Sequence, residues 1–526
     1  MGLVLHQREM TNHSAVLQRA RIYAQSGQFP DMLAACQEAV DTHRNNTNVL
    51  LDTGVLLFNF GFLSSARECF ERVQILAPND SRALMNLANL ARDAGNHDES
   101  GLLYAALLER FPNHPMIRRN ALVGLEYDPR VSNTERFAKA EEWGRWAVAL
   151  TGGHRSRPLP HPLQNERPLR IGYVSADFCQ HTVGLFVKDV LKAHDPLRVA
   201  LFAYSAGQVN DWVTEAIRAI CQFRDVARMD DVALATLIQQ DKIDVLVDLS
   251  GHTAGSRLTV FAYRPASVQV SWLGYFATTG LKYLDAVLLD KWHAPPGTEA
   301  QFVEPVIHLP GGRFCYTPVP WMPIVSPMPV LSTNYITFGS FNNTGKYNSG
   351  VFEVWARILD AVPDSRLILK WRTFNDVTLK QSVREVFAKQ GICVERIELR
   401  GPSFHVDLLN EYAEIDIALD PFPFTGGLTS CEALWMGVPV VTWPQSRVVS
   451  RQTFALLSII DLPELAAADA DDYVRIAVAL ANDRERLQIL RDMLRSRMKI
   501  STLCNTVEFA RMLEDTLITL YCDIAQ

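Results

Sequence analysis

The sequence predicts a chain in two parts, with paired helices first and two α/β domains after them. Three observations support this division. Gly27, Gly61 and Gly95 stand 34 residues apart, and the repeat they mark ends well before residue 169. From there, short runs rich in Val and Ile alternate with helical stretches, as they do in parallel sheets. A Pro-rich segment near residues 309–333 separates two such series.

The three glycines belong to a wider repeat. The aligned positions are small at Ala20, Gly54 and Ala88, bulky at Cys36, Phe70 and Tyr104, and closed by proline at Pro78 and Pro112. This order at a period of 34 residues is the tetratricopeptide pattern, and it predicts such repeats within residues 1–125. Stacked repeats form a curved surface that suits a protein partner. A single helical bundle with chance spacing is the alternative.

The remaining boundaries follow from composition and periodicity. Residues 126–168 are predicted to hold a connecting helix and a linker rich in Pro, Gly and Arg. Residues 169–325 and 326–500 are predicted to form two Rossmann-like α/β domains, and residues 501–526 a C-terminal helix. Open sheets of this kind bind ligands at the carboxyl ends of their strands, so a cleft between the two domains is the expected site.

Composition narrows the function classes. The net charge is −7 and no long basic run occurs, which argues against a nucleic-acid partner. Nine cysteines without a C-x-x-C pair indicate reduced thiols in a cytoplasmic protein. The N-terminus lacks a signal-peptide pattern, and no apolar run reaches the ~20 residues that a membrane span needs. The sequence does not specify an oligomeric state.

The most informative stretch is residues 420–439, which leaves a strand, passes two glycines and enters a helix near Leu428. Backbone N–H groups of Gly426 and Gly427 can approach an anion, and the helix start adds roughly half a positive charge. Glu432 lies one turn further, where a carboxylate can accept ribose hydroxyls. The stretch therefore predicts a nucleotide diphosphate site. A strand-to-helix turn capped by Thr or Ser is the alternative.

A lysine follows the first strand of the second series. Lys346 comes shortly after two amides, Asn342 and Asn343. At a strand end in a cleft, its ammonium can neutralise a diphosphate leaving group through charge-assisted hydrogen bonds. An exposed loop lysine is the alternative.

Three histidines also follow predicted strands. His181 and His252 follow strands of the first series, and together they favour an acceptor-side site, although a single histidine there is more often structural. His405 follows a strand of the second series and could flank a nucleobase. No metal-ligand set occurs, so no metal is expected. The G-x-G-x-x-G and G-x-S-x-G signatures are missing as well, which argues against a dehydrogenase or a serine hydrolase.

With these motifs in place, the chain resembles the O-GlcNAc transferase / SPINDLY family, glycosyltransferase family 41, over nearly its whole length. The matching stretches are RIGYVSADF, the run from Asp248 to Tyr275, FGSFNN-x-x-K and CEALWMGVPVVTW. The resemblance implies a GT-B pair of domains. It also implies inverting, metal-independent transfer of a sugar, GlcNAc from UDP-GlcNAc being favoured, to Ser or Thr of a protein.

The resemblance also implies roles for the residues above. The diphosphate would be held by Lys346 and Asn343 and by backbone N–H groups of Gly427, Leu428 and Thr429. Glu432 would bind the ribose and His405 would lie near the base. His181 and His252 would line the acceptor and sugar side, and neither is assigned as a general base.

The chain departs from animal-type members, which show His-Thr-Thr and an Asp in the phosphate loop. Here the run is Gly427-Leu428-Thr429 and the acid is Glu432, closer to the plant SPINDLY branch, which uses GDP-fucose. Leu428 lacks a hydroxyl that could bond a phosphate, a loss of ~1 kcal/mol. Open alternatives are a transferase using GDP-fucose or another nucleotide sugar, a repeat scaffold that binds the donor without transferring it, and a transferase acting on lipid-linked or small glycans.

Overall fold

The structure, a computed structural model, describes residues 15–161 and 167–525. Eight helices come first, and two parallel sheets follow. This is the predicted fold class. The predictions for the N-terminal segment and for part of the linker, residues 1–14 and 162–166, lie outside the described residues.

The first six helices form three antiparallel pairs, and two further helices, α7 and α8, follow them. Their bounds are α1 Ala15–Gln25, α2 Phe29–Thr42, α3 Thr47–Asn59, α4 Leu63–Leu76, α5 Ser81–Asp93, α6 His97–Arg110, α7 Pro115–Tyr127 and α8 Asn133–Leu150. Each pair turns at a glycine of positive φ, namely +73° at Gly27, +85° at Gly61 and +81° at Gly95. At Gly54 a Cβ would stand 2.5 Å from the Phe70 ring, which explains the small residue there. The repeat prediction is confirmed.

The first α/β domain contains a sheet of seven parallel strands. The strands are β1 Leu169–Ser175, β2 Val199–Ser205, β3 Gln222–Asp225, β4 Val245–Asp248, β5 Val268–Trp272, β6 Ala286–Leu289 and β7 Val306–His308, in the order β3-β2-β1-β4-β5-β6-β7. Its helices are α9 Thr182–Ala193, α10 Trp212–Arg218, α11 Asp231–Gln240 and α12 Leu258–Phe261. The sequence pattern did not predict β3, β6 or β7, which have only three or four residues each.

The second α/β domain contains five parallel strands. They are β8 Thr337–Ser340, β9 Arg366–Lys370, β10 Ile397–Arg400, β11 Ile417–Leu419 and β12 Val440–Val441, in the order β10-β9-β8-β11-β12. Its helices are α13 Val330–Thr333, α14 Ser349–Ala361, α15 Val377–Lys389, α16 His405–Glu411, α17 Leu428–Trp435, α18 Gln452–Ile459, α19 Ala470–Asn482 and α20 Arg484–Ile500. In both sheets the buried apolar strands form the core between two helix layers.

The last helix, α21 (Thr506–Ala525), packs against α9 of the first domain. Its Glu514 accepts hydrogen bonds from the backbone N–H of Asp195 at 2.8 Å and pairs with His194 Nδ1 at 2.9 Å. The Tyr521 hydroxyl reaches Asp244 Oδ1 at 3.2 Å. These buried polar contacts connect the end of the chain to the first domain. No helix within the described ranges has the length and hydropathy of a membrane span.

The helices at the start of the chain contact both α/β domains. In α8, a Cβ at Gly144 would stand 1.8 Å from the carbonyl oxygen of Gly280, so the helix lies directly on the first domain. At the second repeat turn, the backbone N–H of Ser64 donates to Asp376 Oδ2 of the second domain at 2.7 Å. The repeats are therefore fixed to the two domains.

Candidate active site

Lys346 closes a 3₁₀ turn, Thr344–Lys346, just beyond β8. Its Nζ donates to Asn342 Oδ1 and to the carbonyl oxygen of Thr425, both at 2.9 Å. The Phe424 ring centroid lies 4.7 Å from the same nitrogen. Among the described residues, no carboxylate forms an ion pair with Lys346, so neutral oxygens and a ring hold this ammonium. Burial lowers the pKa of Lys346 to about 8, and the charge of Asp420 acts in the opposite direction.

The N-terminus of α17 lies beside this lysine. Thr429, in its first turn, donates from Oγ1 to Asn342 Oδ1 at 3.3 Å, the atom that Lys346 also contacts. Gly427 precedes the helix, and within residues 15–161 and 167–525 no side chain caps it. The first backbone N–H groups of a helix have no partner inside the helix, so they are available to an anion. Lys346 and the helix start therefore share one crevice.

Asp420, which follows β11, fixes the loop that contains Gly426 through hydrogen bonds. Its Oδ1 accepts from the backbone N–H of Gly426 at 2.6 Å, and its Oδ2 accepts from Thr442 Oγ1 at 2.7 Å. A Cβ at Gly426 would stand 2.2 Å from Ser430 Oγ, so a larger residue there would force the Ser430 side chain to move. Burial raises the pKa of Asp420. Asp420 thus fixes the loop, while Gly427 and the following N–H groups remain open.

Glu432 and His405 meet at the other end of the crevice. Glu432 Oε1 lies 2.8 Å from His405 Nε2, which joins α17 to the start of α16. Because the carboxylate accepts, Nε2 carries a proton, and in the neutral imidazole Nδ1 is then an acceptor. That Nδ1 is buried and has no partner among the described residues. The ring of Trp321 stands edge-on to His405, with centroids 6.0 Å apart.

Two further polar groups near this end, the hydroxyls of Tyr316 and Thr317, are buried and find no partner in the part of the chain that the structure describes. Burial raises the pKa of Tyr316 well above its ordinary value, and the charge of Glu432 acts in the same direction. Unpartnered buried polar groups cost free energy unless a ligand or water satisfies them. The region around Glu432 and His405 is therefore suited to a polar ligand such as a nucleoside.

The two asparagines before Lys346 have different roles. Asn342 Oδ1 accepts from both Lys346 and Thr429, which orients the lysine toward the helix start. Asn343 Oδ1 accepts from the backbone N–H of Gly345 at 3.0 Å and shapes the turn. Only the amide N–H₂ of Asn343 remains for a diphosphate.

His252 corrects one expectation. The structure places it in the protein interior, 1 % exposed, rather than on an open acceptor side. Its Nε2 lies 2.8 Å from the carbonyl oxygen of Thr279, and Trp143 of α8 contacts the ring edge-on at 4.5 Å. Burial lowers the pKa of His252 to about 3, so this imidazole is neutral. His252 follows β4 as predicted, but α8 covers the end of that strand.

His181 is the more accessible of the two. Its side chain is 38 % exposed and caps α9, because Nδ1 accepts from the backbone N–H of Val183 at 3.3 Å. Asp177 Oδ1 lies 3.6 Å away. The structure therefore keeps His181 at an accessible strand end and leaves Nε2 available.

Sequence reasoning missed several residues that shape the crevice. Asp420 ends a buried apolar strand with a charge, and that contrast was a usable signal. Phe424, Tyr316 and Trp321 gave none, because an aromatic residue in a loop has no periodic pattern that shows where it packs. Within the described residues, no group of three or more His, Cys, Asp or Glu side chains is arranged to hold a metal ion.

Comparison with known proteins agrees with this geometry. Residues 153–317 and 326–513 match the sequence profile of glycosyl transferase family 41, and residues 51–115 match a tetratricopeptide repeat. This chain belongs to glycosyl transferase family 41. The match covers both α/β domains and therefore includes Lys346, α17 and His405.

Similar proteins carry related names. The chain is 37% identical over 415 residues to a probable UDP-N-acetylglucosamine–peptide N-acetylglucosaminyltransferase SPINDLY of Hordeum vulgare, and 38% identical over 403 residues to that of Arabidopsis thaliana. These matches cover 77% and 75% of this chain and 44% of each relative. This family 41 chain thus spans less than half the length of these relatives.

One solved structure is similar over the full length. It is a mutant of Thermobaculum terrenum O-GlcNAc transferase, with a TM-score of 0.89 and 31% identity. The match covers 98% of this chain and 99% of that one. The arrangement of repeats and two α/β domains is therefore shared with that protein.

Proposed function

We propose that this chain transfers GlcNAc from UDP-GlcNAc to Ser or Thr of a protein, with inversion at the anomeric carbon and without a metal ion. The observation that carries the proposal is the pairing of the Lys346 ammonium, which no carboxylate neutralises, with the uncapped start of α17. Membership of family 41 and the names of the similar proteins support the donor and the acceptor class.

The chemistry follows from charge. As the bond between the sugar C1 and the β-phosphate oxygen breaks, UDP leaves with its diphosphate charge. Lys346 and the N–H groups at the start of α17 are placed to stabilise that charge, a role worth several kcal/mol in a dry site. Glu432 and His405 would hold the nucleoside at the other end of the crevice. Such an arrangement supplies the electrostatic help that a divalent ion gives elsewhere, so metal independence is part of the proposal.

Inversion requires the acceptor hydroxyl to approach C1 from the face opposite the leaving diphosphate. A bond forms between that oxygen and C1, and the hydroxyl proton leaves to solvent or a base. His181 lies in the facing domain with Nε2 available. We therefore place it on the acceptor side and assign no general base.

The acceptor is proposed to be a protein that binds partly on the repeats, because stacked helix pairs present a curved surface of that kind. Binding energy from this remote surface can orient the reacting hydroxyl. We propose that transfer takes place in the cytoplasm, and the nine free cysteines support this. Nucleic acid has no part in the proposal.

The test is transfer of radiolabelled sugar to proteins of a cell lysate from UDP-GlcNAc, UDP-glucose and GDP-fucose, with EDTA in one set of reactions and Mg²⁺ or Mn²⁺ in a parallel set. We expect label from UDP-GlcNAc, and none with Lys346→Ala. Thermal stabilisation by UDP over GDP checks the nucleotide separately, since a ligand at 100 times its Kd stabilises by about 2.7 kcal/mol. Label from GDP-fucose alone would refute the donor, a requirement for metal would refute that part, and no label from any donor would refute the activity.

A further inference from the structure

The third repeat turn lies directly against the turn that carries Lys346. Thr344 donates from Oγ1 to the carbonyl oxygen of Asp93 at 2.5 Å. Two residues on, Gly95 fits so closely that a Cβ there would stand 2.8 Å from the carbonyl oxygen of Tyr347. Residues on both sides of Lys346 thus contact the repeat, although they are some 250 residues away in sequence.

The direction of each side chain in this short turn is informative. Thr344 is buried against the repeat, and a Cβ at Gly345 would stand 3.1 Å from the carbonyl oxygen of Arg92. Lys346 extends the other way, to Asn342 and the Thr425 carbonyl. The repeat therefore supports the back of the turn, and the ammonium occupies its front.

A buried charge network fixes the repeat turn to the second domain. The Asp93 side chain is 4 % exposed; Oδ1 accepts from Arg92, and Oδ2 accepts from Arg372 NH2 at 2.7 Å. Arg372 follows β9 and also donates from NH1 to the carbonyl oxygen of Phe58 in the second repeat. One arginine of the second domain thus binds two repeat turns. Buried ion pairs with this many hydrogen bonds define geometry more than they add stability.

An aromatic contact reaches the lysine from the same side. The ring of Tyr127, at the end of α7, lies 4.6 Å from that of Phe424, which itself contacts Lys346 Nζ at 4.7 Å. The Arg92 guanidinium covers Tyr127 at 5.4 Å from its centroid. Phe424 also meets Phe276 of the first domain at 4.6 Å. The ring beneath the ammonium is therefore packed by residues from three parts of the molecule.

We propose that Asp93, Thr344 and Arg372 are positioning residues, through which the third repeat holds the Lys346 turn in the geometry that binds the donor diphosphate. The inference rests on the proposed function, because it requires a diphosphate at Lys346. It gives the repeats a role in donor binding in addition to acceptor binding. The physical reason is that neutral oxygens hold the ammonium only while its backbone is fixed, and a site displaced by about 1 Å loses much of its rate.

The direct test compares two substitutions at one position. Thr344→Val keeps the shape but removes the hydroxyl that donates to the Asp93 carbonyl oxygen and also lies 2.6 Å from Thr373 Oγ1. Thr344→Ser keeps the hydroxyl, and the Asp93 substitution below tests the repeat side without changing Thr373. We expect Thr344→Val to raise the Kd for UDP about fivefold and to lower kcat for transfer about tenfold, with KM for the acceptor unchanged. Thr344→Ser should restore both values to within about twofold of the original chain. Calorimetry with UDP gives the Kd, and steady-state transfer gives kcat and KM.

Asp93→Asn provides an independent route to the same turn, and it should raise the Kd for UDP by a similar factor. Two matched controls separate positioning from general stability. Ser64→Ala removes a contact at the same interface but at the second repeat turn. Glu99→Gln breaks the ion pair with Arg67 inside the repeats. Both controls should change the melting temperature at most and leave the Kd for UDP unaltered.

Failure of the inference differs from failure of the proposed function. If the original chain binds UDP and Thr344→Val binds it equally well, the repeat does not position Lys346. The same conclusion follows if Thr344→Ser loses as much affinity as Thr344→Val, or if Ser64→Ala and Thr344→Val act alike. If the original chain does not bind UDP at all, the proposed function and this inference both fall.

Discussion

The two α/β domains use the same edge of a parallel sheet in opposite ways. In the second domain, the strand-end loops leave charge unsatisfied. Among the described residues, Lys346 contacts neutral oxygens and the Phe424 ring but no carboxylate, and no side chain caps α17. In the first domain Asp248 holds the backbone of the comparable loop, because it accepts from the backbone N–H groups of Ser250 and Gly251 and from Ser271. Within the described residues, Ser250 Oγ and His252 Nδ1 of that loop are buried without a partner. His252 then bonds a carbonyl oxygen. The two strand ends therefore differ in what they leave open: an ammonium and helix N–H groups that suit an anion in the second domain, and a neutral hydroxyl and imidazole nitrogen in the first.

The largest expected effect concerns Lys346, in the domain whose strand-end groups remain open to an anion. Lys346→Ala should lower kcat for transfer by about 10²–10³-fold, the cost typical of losing one donor to a charged transition state. Folding should be kept, because the lowered pKa shows that burial already disfavours the ammonium. Transfer assays and thermal melting measure the two effects. Lys389→Ala, on an exposed face of α15, is the control, and transfer near the original rate in Lys346→Ala would remove this lysine from the site.

A second effect concerns the nucleoside end. Glu432→Gln removes the charge that His405 bonds and that the ribose is expected to meet, so the Kd for UDP should rise about tenfold or more. Calorimetry with UDP measures it. Glu385→Gln, exposed on α15, should leave the Kd unchanged. Unaltered UDP binding in Glu432→Gln would show that the ribose lies elsewhere.

The histidines sharpen the comparison on the first domain. His252→Ala should destabilise the fold by about 2–4 kcal/mol, because it leaves a cavity between Trp143 and Tyr275. His181→Ala should cost only about 1 kcal/mol, the loss of a helix cap, while lowering transfer. Chemical denaturation and transfer assays give both values. If His252→Ala were stable but inactive, His252 would instead belong to the acceptor and sugar side of the site.

The last test is a pH dependence, whose size depends on how far the pKa of Lys346 rises in the complex. The diphosphate favours the protonated Lys346, whose pKa in the free chain is about 8. Affinity for UDP should therefore be flat below pH 8 and fall as pH rises above it, by up to about tenfold per pH unit until the higher pKa of the complex is reached. Calorimetry between pH 7 and 9.5 measures the profile. Lys346→Arg should abolish the dependence, and a flat profile in the original chain would contradict the assigned pKa.

Much of the molecule could be predicted from local sequence. The repeat period follows from glycines that adopt positive φ at each turn, and the parallel sheets follow from buried Val- and Ile-rich runs. The phosphate loop was recognisable because glycine, a helix start and an acid follow a strand at short spacing. Strands β3, β6 and β7 were missed. Strands β3 and β7 lie at the edges of the sheet and are partly exposed, so they contain no buried apolar run, whereas β6 does contain one.

Which side chains at the strand ends are buried could not be predicted from local sequence. His181 and His252 stand in similar sequence contexts, yet α8 covers one and leaves the other accessible. Phe424 contacts Tyr127 and Phe276, which lie far away along the chain. Contacts of this range depend on how separate elements pack, and no local pattern encodes them.

The sequence by itself determined the repeats, the two sheets and the residue types that suit a diphosphate, because backbone conformation and hydrophobic periodicity are local properties. The tertiary structure alone decided which of those residues remain open to a ligand and which are sealed. It also brought the third repeat behind Lys346, through Asp93, Thr344 and Arg372. The reason is physical: desolvation and hydrogen-bond partnership depend on neighbours in space, and these neighbours come from distant parts of the chain.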